Sequence, residues 1–171
     1  VGRAAKISQG EISLLADRHA AYDLCVAADV IEHVREPGAF LDTVFNLLRP
    51  GGAVLLVTPN MDSLTARLMG SRWLEFKAEH MFYFTPHTLR RQLGQAGFTD
   101  IQILGGRKRL SLDYITRHFV TYPVAGITGM LRFLRAVLPA SWSQHLWLIP
   151  AGGIVALARK PRETTGFSAG A

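Results

Sequence analysis

The sequence predicts an α/β sandwich built around a parallel sheet. Three observations carry that expectation: short uninterrupted apolar runs at 22–28 and 53–58, a stretch between them with apolar residues at helical spacing, and a Pro-Gly-Gly breaker where that stretch gives way to the second run. Apolar runs without alternation are what strands covered on both faces look like. Two such strands joined by a helix imply a right-handed parallel crossover.

Taken in order, the first run is Tyr22-Asp23-Leu24-Cys25-Val26-Ala27-Ala28, free of Gly and Pro and read as a strand buried on both faces; residues 5–10 are the candidate strand before it. Residues 29–34 break the pattern. Pro37, Phe40, Leu41, Val44, Phe45, Leu47 and Leu48 then recur at helical spacing until Arg49-Pro50-Gly51-Gly52 ends the helix. The run at 53–58 is closed by Pro59-Asn60. Further on, Thr85 is placed to cap a helix with Pro86 at its first position, Leu89, Leu93 and Ala96 form the apolar stripe, and Gly97 stops it. Phe98 and residues 101–104 read as another strand, and 153–158 as the last, ahead of Arg159-Lys160-Pro161.

Between those last two strands lies an insertion at about 107–150, too long for a simple connection. Leu131, Phe133, Leu134, Val137 and Leu138, interleaved with Arg132 and Arg135, predict an amphipathic basic helix that suits either a cap packed on its own domain or a membrane surface. A spanning helix is disfavoured, because Pro139, Ser141, Ser143, Gln144, His145 and Pro150 interrupt the charge-poor stretch 136–158. Residues 163–171 read as a flexible tail.

With 171 residues and 49% apolar content, the chain is long enough for one sizeable core and too hydrophobic for wholesale disorder. Its 19 Lys and Arg against 13 Asp and Glu suit an anionic partner without choosing among lipid, phosphate and nucleic acid. The single cysteine, Cys25, cannot form an internal disulfide and reads as a small buried hydrophobe. That lone cysteine suits a reducing compartment, so the expected location is cytoplasmic, with a peripheral contact at the inner face of a membrane through 107–150 as an extension.

Three stretches carry a likeness to a known family. The run 22–34, ending Asp29-Val30-Ile31-Glu32-His33-Val34, resembles the fourth strand and following loop of class I S-adenosylmethionine-dependent methyltransferases of the ubiquinone-biosynthesis-like group. Leu48-Arg49-Pro50-Gly51-Gly52 through Pro59-Asn60 is similar to that group's entry into its fifth strand, and His80-Met81-Phe82-Tyr83-Phe84-Thr85-Pro86 through Gly97-Phe98 to its later helix and sixth strand. The resemblance implies a Rossmann-like sandwich, S-adenosylmethionine as cofactor and a small-molecule methyl acceptor such as a quinone precursor, a lipid or a sugar-linked intermediate. It also implies that residues 1–162 are the later part of such a domain. The family's glycine-rich loop and ribose-binding acid precede the matched region, so the chain alone is expected to bind the cofactor poorly.

The same resemblance puts Ala28 and Asp29 against the methionine part of the cofactor and Glu11 and Ile12 near its adenine. Asp29, Glu32 and His33 resemble a trio that holds a divalent cation such as Mg in some relatives, where the ion acidifies the acceptor hydroxyl. Equally, Glu32 and His33 can simply order their loop. Methyl transfer needs chiefly in-line positioning and, for a hydroxyl, a base. His33 is the nominee, with Glu32 beside it, because imidazole titrates near neutrality; His80 and His87 are weaker candidates. Trp73 and Phe76, beside Arg72 and Lys77, fit either an acceptor pocket or the core. A non-catalytic module that binds a partner or membrane through the insertion is the rival to the enzyme. Nucleic-acid modification has only the net charge in its favour, and oligomeric state is left open.

Overall fold

The computed structural model describes residues 9–15, 17–121 and 123–162. Most of the candidate strand at 5–10, and the tail at 163–171, lie outside the described residues. The expected crossover unit is present: β1 (Tyr22–Ala28), α1 (Pro37–Leu47) and β2 (Leu48–Pro59), with β1 and β2 paired in parallel from Leu24 opposite Ala53 to Ala28 opposite Val57. Pro37, Phe40, Leu41, Val44 and Leu47 are the buried face of α1. Its neighbour Phe45 meets Phe98 edge-to-face at 5.1 Å.

The start of β2 differs from expectation, since Arg49-Pro50-Gly51-Gly52 belongs to the strand rather than to a turn before it. The pairing with β1 jumps from Tyr22 opposite Leu48 to Leu24 opposite Ala53, so the extra residues bulge out of the ladder. Gly51 sits at φ +79 in that bulge. A Cβ on Gly52 would lie 2.9 Å from the Arg49 carbonyl and 3.2 Å from that of Asp23, so only glycine fits there.

The remaining elements are α2 (Leu64–Met69), α3 (Pro86–Gln95), β3 (Thr99–Ser111), α4 (Leu112–Thr121), α5 (Ile127–Val137), α6 (Ala140–Ser143) and β4 (Leu146–Arg159). α3 begins as expected: the Thr85 hydroxyl accepts from the Thr88 backbone N–H, and the Thr88 hydroxyl accepts from that of Thr85, closing a reciprocal capping box. Gly97, at φ +88, ends it.

The sheet order is β1-β2-β4-β3, with β4 antiparallel to both neighbours, so β1, β2 and β3 all run one way. Three expectations are corrected here. The last two strands are far longer than 101–104 and 153–158, and the outer parts of the 107–150 insertion extend them as a two-stranded arm from Lys108 opposite Ile149 to Ser111 opposite Leu146. Its helical part is therefore only α4 to α6.

The third correction concerns β1, which among the described residues is the outer strand of the sheet and leaves Leu24 and Val26 more than half exposed rather than covered on both faces. The apolar cluster instead lies where α1 and α3 meet the middle of the sheet, with Leu41, Leu48, Val54, Leu56, Leu89, Leu93, Ile154 and Ala156 essentially sealed from solvent. Burying each of the leucines contributes about 1.5–3 kcal/mol. This rigid centre holds the carboxyl ends of three parallel strands at one edge.

Candidate functional site

In an open α/β sheet, ligands sit beyond the carboxyl ends of the parallel strands. At that edge β1 runs into Asp29, whose backbone is left-handed (φ +51) and whose N–H donates to the Val57 carbonyl at 2.9 Å. Asp tolerates this conformation better than most side chains. The chain then winds through a single 3-10 turn, Ile31–His33, that buries Ile31 and Glu32.

Glu32 ties two loops together. Its backbone carbonyl accepts from the N–H groups of Met81 and Phe82 at 2.8 and 3.2 Å, while its carboxylate accepts from the Thr58 hydroxyl at 3.0 Å. This clamp brings His80, itself buried, edge-on to His33 with ring centroids 4.6 Å apart. The Nδ1 of His33 lies 2.9 Å from the Glu79 carbonyl oxygen. A carbonyl can only accept, so Nδ1 carries the hydrogen and the neutral ring keeps its lone pair on Nε2.

One ligand atom each from Glu32, His33 and His80 lies within 4.8 Å of the others. Asp29 is not in that group: it is exposed at the strand end, before the turn that gathers Glu32 and His33. His80 takes its place, from a segment 47 residues further along, which no local spacing could reveal. Glu32 Oε1 and His80 Nδ1 are buried without a hydrogen-bond partner. A buried carboxylate with one oxygen unsatisfied is costly unless a cation or proton donor stands by.

One cavity is lined by His33 of this group, and a second by Glu79, whose carbonyl His33 contacts. The first, of about 580 Å³, is lined by Glu11, Ile12, Val30, His33, Phe40 and Met81, so the residues expected near adenine share a cavity with the nominated base; Ala28 and Asp29 are not in its lining. The other, of about 710 Å³, has Arg72, Trp73, Phe76, Lys77 and Glu79 on one side and His118 and Thr121 of α4 on the other. Trp73 is 3% exposed and meets Phe76 edge-on at 5.3 Å, so it is core and cavity wall at once. His87, at the second position of α3, is exposed and lines neither cavity.

Residues 4–103 match the sequence family described as a methyltransferase domain. The chain belongs to that methyltransferase family. Over 105 residues the methyltransferase segment is 30% identical to the ubiquinone biosynthesis O-methyltransferase of Azorhizobium caulinodans, covering 57% of this chain and 41% of that relative. The Psychrobacter arcticus protein of the same name is 32% identical over 102 residues, 55% of this chain and 40% of the relative. The chain thus spans about two-fifths of the length of these relatives. A SAM-dependent methyltransferase from Archaeoglobus fulgidus superposes with a TM-score of 0.56 at 15% identity, over 90% of this chain and 66% of that one, which shows the fold to be the expected Rossmann-like class I sandwich. The helices α4 to α6 of this methyltransferase chain lie beyond the family match.

His118, which sequence reasoning passed over, reaches the larger cavity from those helices. Burial holds its imidazole below the usual histidine value, with Glu75 opposing that shift and Lys77 adding to it. A histidine depressed in the folded state takes its proton in the unfolded state first, so stability falls as pH drops through about 6.5 and is unaffected well above it. The loss of melting temperature between neutral and mildly acid pH should be smaller in His118→Gln; an identical loss would exclude His118 as its source.

Proposed function

We propose that this methyltransferase domain, within its full-length protein, methylates a hydroxyl of a planar, largely apolar acceptor of the quinone-precursor kind. The reading rests on one observation above all: Glu32, His33 and His80 converge at the carboxyl edge of the parallel strands, where His33 lines the cavity that carries Glu11 and Ile12 and contacts Glu79 of the cavity walled by Trp73 and Phe76. Two relatives named for O-methylation in ubiquinone biosynthesis support the acceptor class.

Bound S-adenosylmethionine would supply an electrophilic methyl group on its sulfonium. The protein's part is then to position the acceptor and remove one proton. His33 is suited to take the hydroxyl proton at Nε2, because the Glu79 carbonyl holds Nδ1–H and fixes the tautomer. Glu32, at its buried position, would stabilise the imidazolium that results. Glu11 and Ile12 would contact the adenine side of the cofactor, and Ala28 and Asp29 its methionine side.

The same side chains fit a divalent cation, since Glu32 Oε1 and His80 Nδ1 are buried donor atoms still lacking a partner. Glu32, His33 and His80 would hold such an ion, and it would acidify the acceptor hydroxyl. The two routes separate experimentally. Methyl transfer by the full-length protein from labelled S-adenosylmethionine to a catechol-bearing acceptor should be measured with and without chelator, alongside Glu32→Gln. Loss of activity with chelator selects the ion; activity insensitive to chelator selects His33 as base; absence of transfer to any catechol acceptor rejects the acceptor class. The isolated chain, with β1 as an outer strand, should bind the cofactor weakly by titration calorimetry.

A further inference from the structure

The helices α4 to α6 and the tip of the β3–β4 arm stand beyond the matched family segment and beyond the end of β2, and they differ from the rest of the chain in charge. Residues 107–147 hold six Lys or Arg and one Asp, so this segment carries nearly all of the formal net charge of +6, and the remainder of the chain is close to balanced. The arm places it. β2 last pairs with β4 at Pro59 opposite Gly153, which β3 meets at Gly106, and β3 continues for five residues to Ser111. That extension is about 16 Å, in the direction of the carboxyl edge where the candidate site lies.

α5 is amphipathic in a way its contacts only half use. Met130, Phe133 and Val137, at i, i+3 and i+7, lie on one side of the helix. On the adjoining side Leu131 is buried, while Met130, Phe133 and Val137 are 55%, 66% and 57% exposed. Arg135 turns to Asp113 of α4, holding α5 to α4, and Arg132 is exposed. Five residues after Val137 comes Trp142, 57% exposed, with its ring 6.3 Å from that of Trp147, which is 46% exposed. Exposed Trp and Phe on a segment of strongly positive charge match the two components of a bilayer interface: aromatic rings at the headgroup level and cations against anionic lipid. No helix among the described residues is long and apolar enough to cross a membrane.

We infer that the cap formed by α5, α6 and the arm tip docks on the surface of an anionic lipid bilayer, with Phe133, Trp142 and Trp147 entering the headgroup region. Because α4 packs on α5 and also supplies His118 and Thr121 to the larger cavity, docking brings that cavity to the lipid surface. If the acceptor is apolar, as in the function proposed above, it can then be met where it partitions.

Vesicle flotation of the full-length protein tests this directly. Binding is expected to vesicles of phosphatidylcholine containing one-third phosphatidylglycerol and not to phosphatidylcholine alone. It should weaken as salt rises from about 0.1 to about 0.5 M, where surface charge is screened. Phe133→Ser combined with Trp142→Ser should lower partitioning at least about tenfold, and Arg132→Glu about fivefold or more. Both variants should keep the parent melting temperature and, on a water-soluble acceptor, the parent activity. Equal binding to neutral vesicles, no binding to either, or binding unmoved by these substitutions would overturn the inference. So would sedimentation velocity showing a dimer that Phe133→Ser dissociates, because a second copy would then be the occupant. Flotation that holds while no acceptor is methylated would leave this surface standing and reject only the proposed reaction.

Discussion

His33→Phe should lower kcat for methyl transfer by the full-length protein by about 10²–10⁴-fold, the range for loss of a positioned general base or acid. The ring of Phe fills the same space and keeps the edge-on contact with His80, so packing is largely preserved. What disappears is the Nε2 lone pair and the hydrogen bond from Nδ1 to the Glu79 carbonyl. The second loss costs about 0.5–1.5 kcal/mol of stability, which a thermal melt registers separately from the rate. If the ion route operates, the same variant loses a ligand and the rate falls together with chelator sensitivity. A kcat within twofold of the parent would remove His33 from both roles.

Gly152→Val should cost about 3–5 kcal/mol, visible as a lower urea midpoint. Gly152 sits at φ +72, a conformation that costs a side-chain-bearing residue about 1–2 kcal/mol. Its Cβ would also lie 2.5 Å from the Thr65 hydroxyl and 2.7 Å from that of Ser63. The Ser63 hydroxyl caps α2 by accepting from the Ala66 N–H at 3.1 Å, so displacing it removes a cap worth about 1 kcal/mol. Branching at Cβ adds overpacking of about 1–3 kcal/mol. Gly105 provides the control. Nothing lies within 4 Å of a Cβ placed there, so Gly105→Ala should stay within about 0.5 kcal/mol of the parent. Equal midpoints for the two variants would show that crowding at Gly152 is absent.

Local features of the chain were legible because local chemistry decides them. Thr85 and Pro86 start a helix where they precede an amphipathic stripe, and the apolar run that follows Pro50-Gly51-Gly52 is an inner strand of the sheet. Long-range pairings were not. Residues 153–158 read as a strand, yet nothing in their order says that they enter between β2 and β3 antiparallel to both. The glycine pairs Gly105-Gly106 and Gly152-Gly153 were the available signal for the arm: a Cβ on Gly106 would touch the Gly153 backbone at 3.0 Å, so two adjacent strands each with paired glycines mark a close crossing. Leu24 and Val26 misled for the opposite reason, since an apolar side chain records what a face is suited to meet and not what covers it.

The candidate site shows the same division. Glu32 and His33 are neighbours in the chain and were marked by the family resemblance, whereas His80 is brought to them by the hydrogen bonds that Met81 and Phe82 donate to the Glu32 carbonyl. His118 reaches its cavity from a helix outside the family match, one that Asp113 ties to α5 through Arg135. The carboxyl of Asp113 is kept below its ordinary value chiefly by the hydrogen bond from Arg135.

The order of synthesis adds one last consequence. β4 bridges β2 and β3, yet its residues are among the last of the described chain to leave the ribosome. Without β4, β1 and β2 can still pair, whereas β3 has no partner strand among the described residues. Closure waits for Lys160, whose ammonium donates to the carbonyls of Phe45 and Leu48, both at 2.9 Å, and locks the far end of the last strand onto the first helix. The sheet is therefore completed by pairings distant in sequence, the kind of contact that slows folding.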